Sequence, residues 1–593
     1  TFINSNRFYT SKDSLTHHIT VIKDLYPEIY TENQQDSLFA DRVYFKGTIK
    51  DDYGFSQLKF VYTKRNKEGN LLEQNKEIQI PLNKQQSIQD FYFYFDAPLL
   101  LLNPGDQIEY YFEIKDNDGV NGSKSTKTGI TKFALKTAEE IQLEISETSK
   151  ETKSDIEKLV KESEELVKNI TKFQQQMIQN KDISWQDKKK LESLINQYND
   201  IKQQIQDIKE KQQNNNIKEE RYKEVKDEIL KKQQELLKRF DDILSDELKD
   251  LLKKMQDLMN QMNKESVQQA MDKFKMNAEE INKQLDQQLE LYKLLEFEKK
   301  YQDIIDQTRT LSEEQKQLSQ QVEQKAISKE ELAKKQDEIN QKFEALQKEM
   351  NQLQQMNKGM EDPIKMEDRK AQQQDISNDL NNSKQQLNKN NRSKAKESQQ
   401  SAAEKMNQMA DEMEQEKNQQ ENEDIAEDIE SLRQIMDNLM KVSFMQENVL
   451  KKTQSTSPKS PQVSDIVRNQ KEINDYIKMI EDSLSALAKR QTSVKPFIQK
   501  ELQKIKEYIN TSQQQLNDRF MQQASSGQQF TLTSINNLTL MLAESMKEMK
   551  QKQKESNGKC NKKGGNSSCS KPGGNKSKPK SAREMQQQLN RQM

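Results

Sequence analysis

Between Gly129 and Gly359 the chain has no other glycine and no proline, and apolar residues recur in steps of three and four through most of that interval. Glycine weakens a helix through backbone entropy and proline breaks it by losing an N–H donor. So long a stretch without either, rich in Lys, Glu and Gln, must be long helix. Composition points the same way. Charged residues make up 32%, hydrophobic 32% and aromatic 6% of 593 residues, and mean hydropathy is -1.13. One large globular core is excluded, whereas helices that each bury only a stripe suit these values. The near balance of 95 basic and 97 acidic residues argues against a general polyanion binder. No apolar run approaches the ~20 residues that span a bilayer.

Residues 1–136 have a different pattern. Seven of the fourteen glycines lie here, with Pro27, Pro81, Pro98 and Pro104, and β-branched and aromatic residues alternate with polar ones. Strands are predicted over Arg42 to Lys50, Gln57 to Thr63, Gln89 to Phe95 and Gln107 to Lys115. Turns are predicted at Asp51-Asp52-Tyr53-Gly54, Glu68-Gly69-Asn70, Pro104-Gly105-Asp106 and Asn117-Asp118-Gly119. Short strands at this spacing suggest an immunoglobulin-like β-sandwich of roughly seven strands.

Residues 137–361 are read as long helical hairpins or coiled coil. Leu166, Ile170, Phe173 and Met177 form one stripe, and Ser184 caps a restart. A second stripe runs from Leu191 to Ile208, breaks at Asn214-Asn215-Asn216 and resumes from Leu237 through Leu244, Leu248, Leu251 and Leu258. A third, Leu332 to Leu353, starts at the capping box Ser328 to Glu331 and stops at Gly359, with Pro363 beyond. Such breaks permit antiparallel arms of ~45 Å. Residues 362–422, Gln/Asn/Lys/Ser-rich with few large apolar side chains, read as a polar low-complexity spacer. Residues 423–555 read as a helical bundle in four pieces, separated by Ser457 to Pro461, by Pro496 and by Gly527. Residues 556–593 read as a Gly/Asn/Ser/Lys-rich linker and the start of an unfinished helix. The fold class is therefore mainly α with an N-terminal all-β domain. Thr1 at one end and the unfinished pattern at the other lead us to expect a fragment, whose missing ends carry a signal or anchor.

The inventory for catalysis is poor. His17 and His18 are the only histidines, and strand geometry would point them to opposite faces. Neither Gly119 to Lys124 nor Gly564-Gly565-Asn566 has the spacing of a phosphate loop. Asp116-Asn117-Asp118-Gly119 offers oxygens to calcium, but without a downstream bidentate Glu a hairpin turn is the better reading. Cys560 and Cys569 leave two chemistries open, a disulfide or half of a zinc site, beside an incidental pair. The segment from Lys550 to Met593 holds twelve Lys/Arg against Glu555 and Glu584, without aromatic residues to stack on bases. It reads as a solvated linker, and nucleic acid is not expected as a partner. Met255, Met259 and Met262, and Met541, Met546 and Met549, read as adaptable core packing, with a promiscuous groove as the sharper alternative. No catalytic, cofactor or metal site is assigned.

Gly47-Thr48-Ile49-Lys50-Asp51-Asp52-Tyr53-Gly54-Phe55, Pro104 to Tyr110 and Asp116 to Gly119 resemble the immunoglobulin-like region of the bacterial domain-of-unknown-function family number 4175. Ser443 to Glu447, Met479 to Leu484 and Asn536 to Leu542 resemble the distal bundle of its Bacteroidetes-type members. This resemblance implies membrane helices ahead of the β region, an inner-membrane anchor and a Gln-rich part facing the periplasm. Some relatives carry an ATPase label, which the lack of a phosphate loop does not support here. The expectation is a non-enzymatic scaffold or spacer of the cell envelope, pairing with itself, protein partners or cell-wall components through helical seams. The alternative is a glycan- or peptide-binding module on the β domain, which exposure of Tyr53, Tyr92, Tyr94, Tyr110 or Tyr111 would favour.

Overall fold

The structure, a computed structural model, describes residues 8, 18–20, 23–35, 41–84, 86–119, 122–179, 184–223, 225–243, 253–254, 257, 264–324 and 328–560. The chain forms two compact units, Thr1–Thr148 with Asn214–Glu224, and Ser149–Gln213 with Val225–Met593.

The first unit is built on β1 (Glu28–Gln35), β2 (Arg42–Lys50), β3 (Phe55–Arg65), β4 (Leu71–Ile80), β5 (Ile88–Asp96), β6 (Gln107–Asp116), β7 (Ser125–Lys127) and β8 (Thr131–Ala134). One antiparallel sheet has the order β1-β2-β5; the other runs β4-β3-β6-β7, with β8 also paired to β6. Consecutive β2 and β3 lie in different sheets while β2 pairs with β5 and β3 with β6, the crossing of an immunoglobulin-type sandwich. Alternation decides the inward faces: Val43, Phe45 and Ile49 of β2 are buried while Tyr44, Lys46 and Lys50 are exposed. Phe45 sits at the centre, its ring 5.1 Å from Phe112 and 5.4 Å from Tyr110 of the opposite sheet. Both contacts are edge-to-face, the favoured geometry for aromatic pairs.

The ends of two helices complete this unit. Buried Asp41 accepts a hydrogen bond from Arg221 Nη2 at 2.5 Å. Burial, and then the Asp41 charge, push the neighbouring Tyr222 phenol up to about 12. Glu144 accepts from Lys136 at 2.5 Å and Lys218 at 2.6 Å, and these two lysines hold its carboxyl below the usual glutamate range.

Ten helices occur among the described residues: α1 (Ala138–Gln179), α2 (Trp185–Tyr222), α3 (Asp227–Ile243), α4 (Lys264–Gln324), α5 (Lys329–Lys358), α6 (Lys370–Asn388), α7 (Arg392–Ser455), α8 (Val463–Ala488), α9 (Pro496–Asn517) and α10 (Met521–Cys560). The start signals read in the sequence hold. Ser184 Oγ and Asp187 cap each other at the head of α2, and Ser328 Oγ accepts from Glu331 N at 3.2 Å at the head of α5.

In the second unit two long helices are shared between bundles. The first half of α4 packs with α1, α2 and α3 around Phe173, Tyr198, Phe240 and Phe274. Its second half forms a four-helix bundle with α5, α6 and the first half of α7 around Phe343, Leu346, Ile376 and Met406. The second half of α7 forms another with α8, α9 and α10 around Leu439, Ile473, Ile505 and Leu538. The apolar seams of these helices are thus buried against one another within a single chain. At ~1.5–3 kcal/mol per fully buried aliphatic side chain, the seams dominate the stability of each bundle.

Four expectations are corrected. Asn214 to Asn216 do not interrupt α2; Asn costs only a few tenths of a kcal/mol in a helix, and Asn215, buried, donates to the Ile145 carbonyl at 3.2 Å. Residues 362–422 are not a spacer, since α6 and the first part of α7 occupy most of them. Their seam is built from Ile376, Leu380 and Leu387 of α6 and from Ala395, Ala402, Met406, Met409, Ala410 and Met413 of α7, the α7 part packing through small or flexible residues without a leucine stripe. Gly527 does not separate helices but lies within α10, where a Cβ would stand 2.4 Å from Ser512 Oγ of α9. The linker expected from residue 556 is helical up to Cys560, and the residues beyond lie outside the described ones. The Leu244 to Leu258 stripe and Met255, Met259 and Met262 also lie outside them.

The last two bundles repeat each other. Leu380-Asn381-Asn382-Ser383-Lys384-Gln385-Gln386-Leu387-Asn388 in α6 matches Ile509-Asn510-Thr511-Ser512-Gln513-Gln514-Gln515-Leu516-Asn517 in α9, at a constant offset that continues through Ala395 and Ala524 to Gln399 and Gln528. The turn after each is the same. Asn390 and Arg519 both take positive φ (58° and 64°), and each turn is closed by the same backbone bonds, Asn391 N to Gln386 O and Phe520 N to Gln515 O, both 2.8 Å. Gln336-Asp337-Glu338-Ile339-Asn340 of α5 likewise matches Gln470-Lys471-Glu472-Ile473-Asn474 of α8.

Each repeat carries a buried amide layer. Gln336 Oε1 accepts from Gln315 Nε2 (3.1 Å), Ser383 Oγ (2.8 Å) and Gln399 Nε2 (2.9 Å), so one oxygen ties together α4, α5, α6 and α7. In the second repeat Gln470 Oε1 accepts from Gln446 Nε2 (3.2 Å) and Gln528 Nε2 (3.0 Å), joining α7, α8 and α10. A polar layer in an apolar core fixes helix register, because a shift of one turn would strand every amide.

A buried carboxylate joins α4 to α8 and α9. Glu481 accepts from Lys283 and from Lys506 (3.1 Å). Burial alone would raise its pKa; the two lysines outweigh that and hold it below the usual glutamate range. A depressed carboxylate adds stability that is present at neutral pH and is lost as pH falls through the folded value. We expect Glu481→Gln to cost about 2 kcal/mol at pH 7 and much less near pH 3. Urea midpoints of both proteins between pH 3 and 7 check this; a difference independent of pH refutes the assignment.

Candidate functional site

Few of the chemistry-bearing residues singled out in the sequence converge. His18 is exposed, and His17 lies outside the described residues. Asp116 Oδ1 accepts from Lys124 N at 2.9 Å and Asp118 N at 3.2 Å, so this carboxylate closes the turn after β6. Asp51 does the same for the turn before β3, accepting from Gly54 N at 2.8 Å, and burial raises its pKa. No group of three or more His, Cys, Asp or Glu among the described residues is arranged to hold a metal ion. Cys560 ends α10, and Cys569 lies outside the described residues. Met541, Met546 and Met549 pack into or against the core of the last bundle. No described helix is long and apolar enough to cross a membrane.

Two surfaces stand out instead. The first is the outer face of the β1-β2-β5 sheet. Register places Tyr44 opposite Tyr94, Lys46 opposite Tyr92 and Thr48 between Tyr30 and Asp90. The four tyrosines are 44–72% exposed, well above what a sheet face shielded by its own chain would show. Tyr44 and Tyr94 have ring centroids 6.1 Å apart, and Thr48 Oγ1 donates to Asp90 Oδ1 at 2.7 Å beside them. Tyr53 is also exposed, whereas Tyr110 points inward and is buried. This face combines flat aromatic surface with ordered polar groups, the pattern that lets a ligand stack and hydrogen-bond together.

The second is a cavity of about 510 Å³ in the helical unit, lined by α3, α4, α7, α10 and the connections α5–α6 and α8–α9. Those two connections occupy equivalent places in the two repeats. They are tied together by Lys489–Glu361 (2.5 Å) and Arg490–Asp362 (3.0 Å). Arg490 also pairs with buried Asp428 at 2.7 Å. Burial raises the Asp428 pKa although Arg490 and Gln491 oppose it. Half-buried Lys232 pairs with Glu298 at 2.7 Å; burial works against its charge, but Glu298 and Glu421 prevail and raise its pKa. Sequence reading missed this site because its residues come from six separate segments. The signal within reach was the internal repeat, whose junction the cavity occupies.

No family model, curated protein or solved structure matches the chain.

Proposed function

We propose that the protein is a non-enzymatic scaffold of the bacterial cell envelope, with the helical unit as its body and the β-sandwich as its contact module. The observation that carries this reading is that the described helices spend their apolar seams on one another, in two repeated bundles each registered by an amide layer. Such a body is built for fixed geometry, and its surface is mostly polar, with Trp185, Met479, Phe520 and Phe530 among the apolar side chains left exposed on it. The periplasmic setting and the inner-membrane anchor rest on the resemblance of the Gly47 to Phe55 and Asp116 to Gly119 motifs to the family named above. In-cell crosslinking of the anchored protein, with partners identified by mass spectrometry, tests the proposal. Recovery of envelope-assembly proteins through the helical unit supports it. Turnover of a substrate by the purified chain, abolished by one point mutation, refutes it.

The tyrosine face favours a second reading, in which the β-sandwich binds a glycan. Stacking on a sugar ring requires exposed, flat aromatic surface, which Tyr44, Tyr92 and Tyr94 supply. We expect Tyr92→Ala with Tyr94→Ala to weaken binding of cell-wall glycan fragments by about tenfold or more while leaving the melting curve unchanged, since both side chains are exposed. Equal binding by this variant and the parent, measured by calorimetry, excludes the face as the site.

A further inference from the structure

We propose that the cavity at the junction of the two helical repeats binds a cationic amphiphile, a molecule with an apolar chain and a protonated amine head. The volume of about 510 Å³ falls within the ~300–1,000 Å³ of small-molecule sites. Its wall is apolar over one side, where Leu291, Leu294, Leu295, Phe297, Ile364 and Met549 face it. This side offers a chain the same burial that the bundle cores offer leucine.

Charge selects the head group. Nine carboxylate side chains line the cavity against six cationic ones. Three of these cations are already engaged: Lys232 by Glu298, Lys489 by Glu361 and Arg490 by Asp428. Lys417 donates to Gln302 Oε1 at 3.0 Å. An anionic head would therefore meet an excess of carboxylates, with Lys365 and Lys417 as the lining cations that no ion pair within 4.0 Å among the described residues includes. Among the lining carboxylates, Asp424 stands apart. It is half-buried and accepts from Gln420 Nε2 at 2.7 Å, yet none of the ion pairs within 4.0 Å among the described residues includes it. Burial raises its pKa against the Gln420 hydrogen bond and the Arg490 charge, and the nearby Glu427 and Asp362 add to the rise. An ammonium head at Asp424 would supply a pairing cation while its chain lies along Leu294 and Leu291. The inference stands on the helical unit alone and is independent of the scaffold reading.

Calorimetric titration of the whole chain at pH 7 with dodecylamine, dodecanol and dodecanoate, each below its micellar concentration, is the test. The expected result is one dodecylamine per chain and at least tenfold weaker dodecanoate. Hydrogen exchange should slow at residues 360–366 and 424–428 when the amine is present. Leu294→Trp, which fills the cavity, should abolish binding of the amine. Asp424→Asn should weaken the amine about tenfold and leave dodecanol unchanged. Dodecanoate binding as tightly as the amine, or amine binding undiminished in folded Leu294→Trp, overturns the proposal. If Leu294→Trp does not fold, the parent protein still decides, because no binding, or an exchange footprint away from these residues, overturns it as well.

Discussion

Replacing Gln336 with leucine should destabilise the α4–α7 bundle by about 4 kcal/mol or more, although leucine is more apolar and nearly the same size. Gln336 is fully buried, and its single oxygen accepts from Gln315, Ser383 and Gln399 on three other helices. Its own Nε2 donates to Gln315 Oε1 at 2.9 Å and Asn340 Oδ1 at 3.0 Å. The substitution strands two buried amides and a hydroxyl at once, each costing ~1–3 kcal/mol when left without a partner, and leucine recovers only part of that by transfer. Hydrogen exchange reports where the loss falls. Residues 304–350 and 376–413 should lose protection, while residues 463–549 of the other repeat keep theirs. Changing Gln315, Gln336 and Gln399 to leucine together with Ser383→Ala should restore most of the stability, because no polar group is then left unpaired. Gln470→Leu should cost a similar amount in the last bundle, and since the two layers share no residue the two losses should add. A Gln336→Leu effect under 1 kcal/mol would show that the layer does not hold the bundle.

Gly47→Ala should unfold the β-sandwich or cost it about 3 kcal/mol. Gly47 lies mid-strand in β2, opposite Phe91 on β5 and Thr31 on β1. A Cβ there would stand 2.3 Å from Phe91 Cε1 and 2.8 Å from the Tyr30 backbone oxygen. Either approach forces a shift, and overpacking of a tight core costs ~1–3 kcal/mol or more. Phe91→Leu in the same chain should recover only part of the loss, because the backbone oxygen cannot move without breaking the β1–β2 register. Exchange protection in β1, β2 and β5 is the readout, and an alanine variant as protected as the parent refutes the packing argument.

The Gly129–Gly359 interval fixed long helix before any contact was known, because a helix needs only local hydrogen bonds and the residues that break them were absent. Ser184 and Ser328 were legible as caps for the same reason: the groups they satisfy are three residues away. Alternation in β2 and β5 announced a sandwich, although not that Tyr44 and Tyr94 would meet across two strands. The errors came where weak local preference met strong tertiary packing. Asn214 to Asn216 stay helical, Gly527 sits where α10 packs closely on Ser512 of α9, and the Ala/Met seam of α7 carries no leucine stripe to announce it. The repeat from Leu380 to Asn388 and from Ile509 to Asn517 was present in the sequence, hidden in a Gln/Asn/Lys background where short matches are cheap.

The sequence by itself therefore determined that the centre of the chain is helix and its first part strand, which stripe of most helices is apolar and where the Ser184 and Ser328 caps fall, since these depend on neighbours within about one helical turn or two strand positions. Only the tertiary structure decided that the seams close within one chain, that Gln336 and Gln470 each gather partners from other helices, and that six separate segments enclose a cavity beside Asp424. Those outcomes depend on which helices meet and in what register, and they are set by packing and amide pairing between residues up to a hundred or more positions apart.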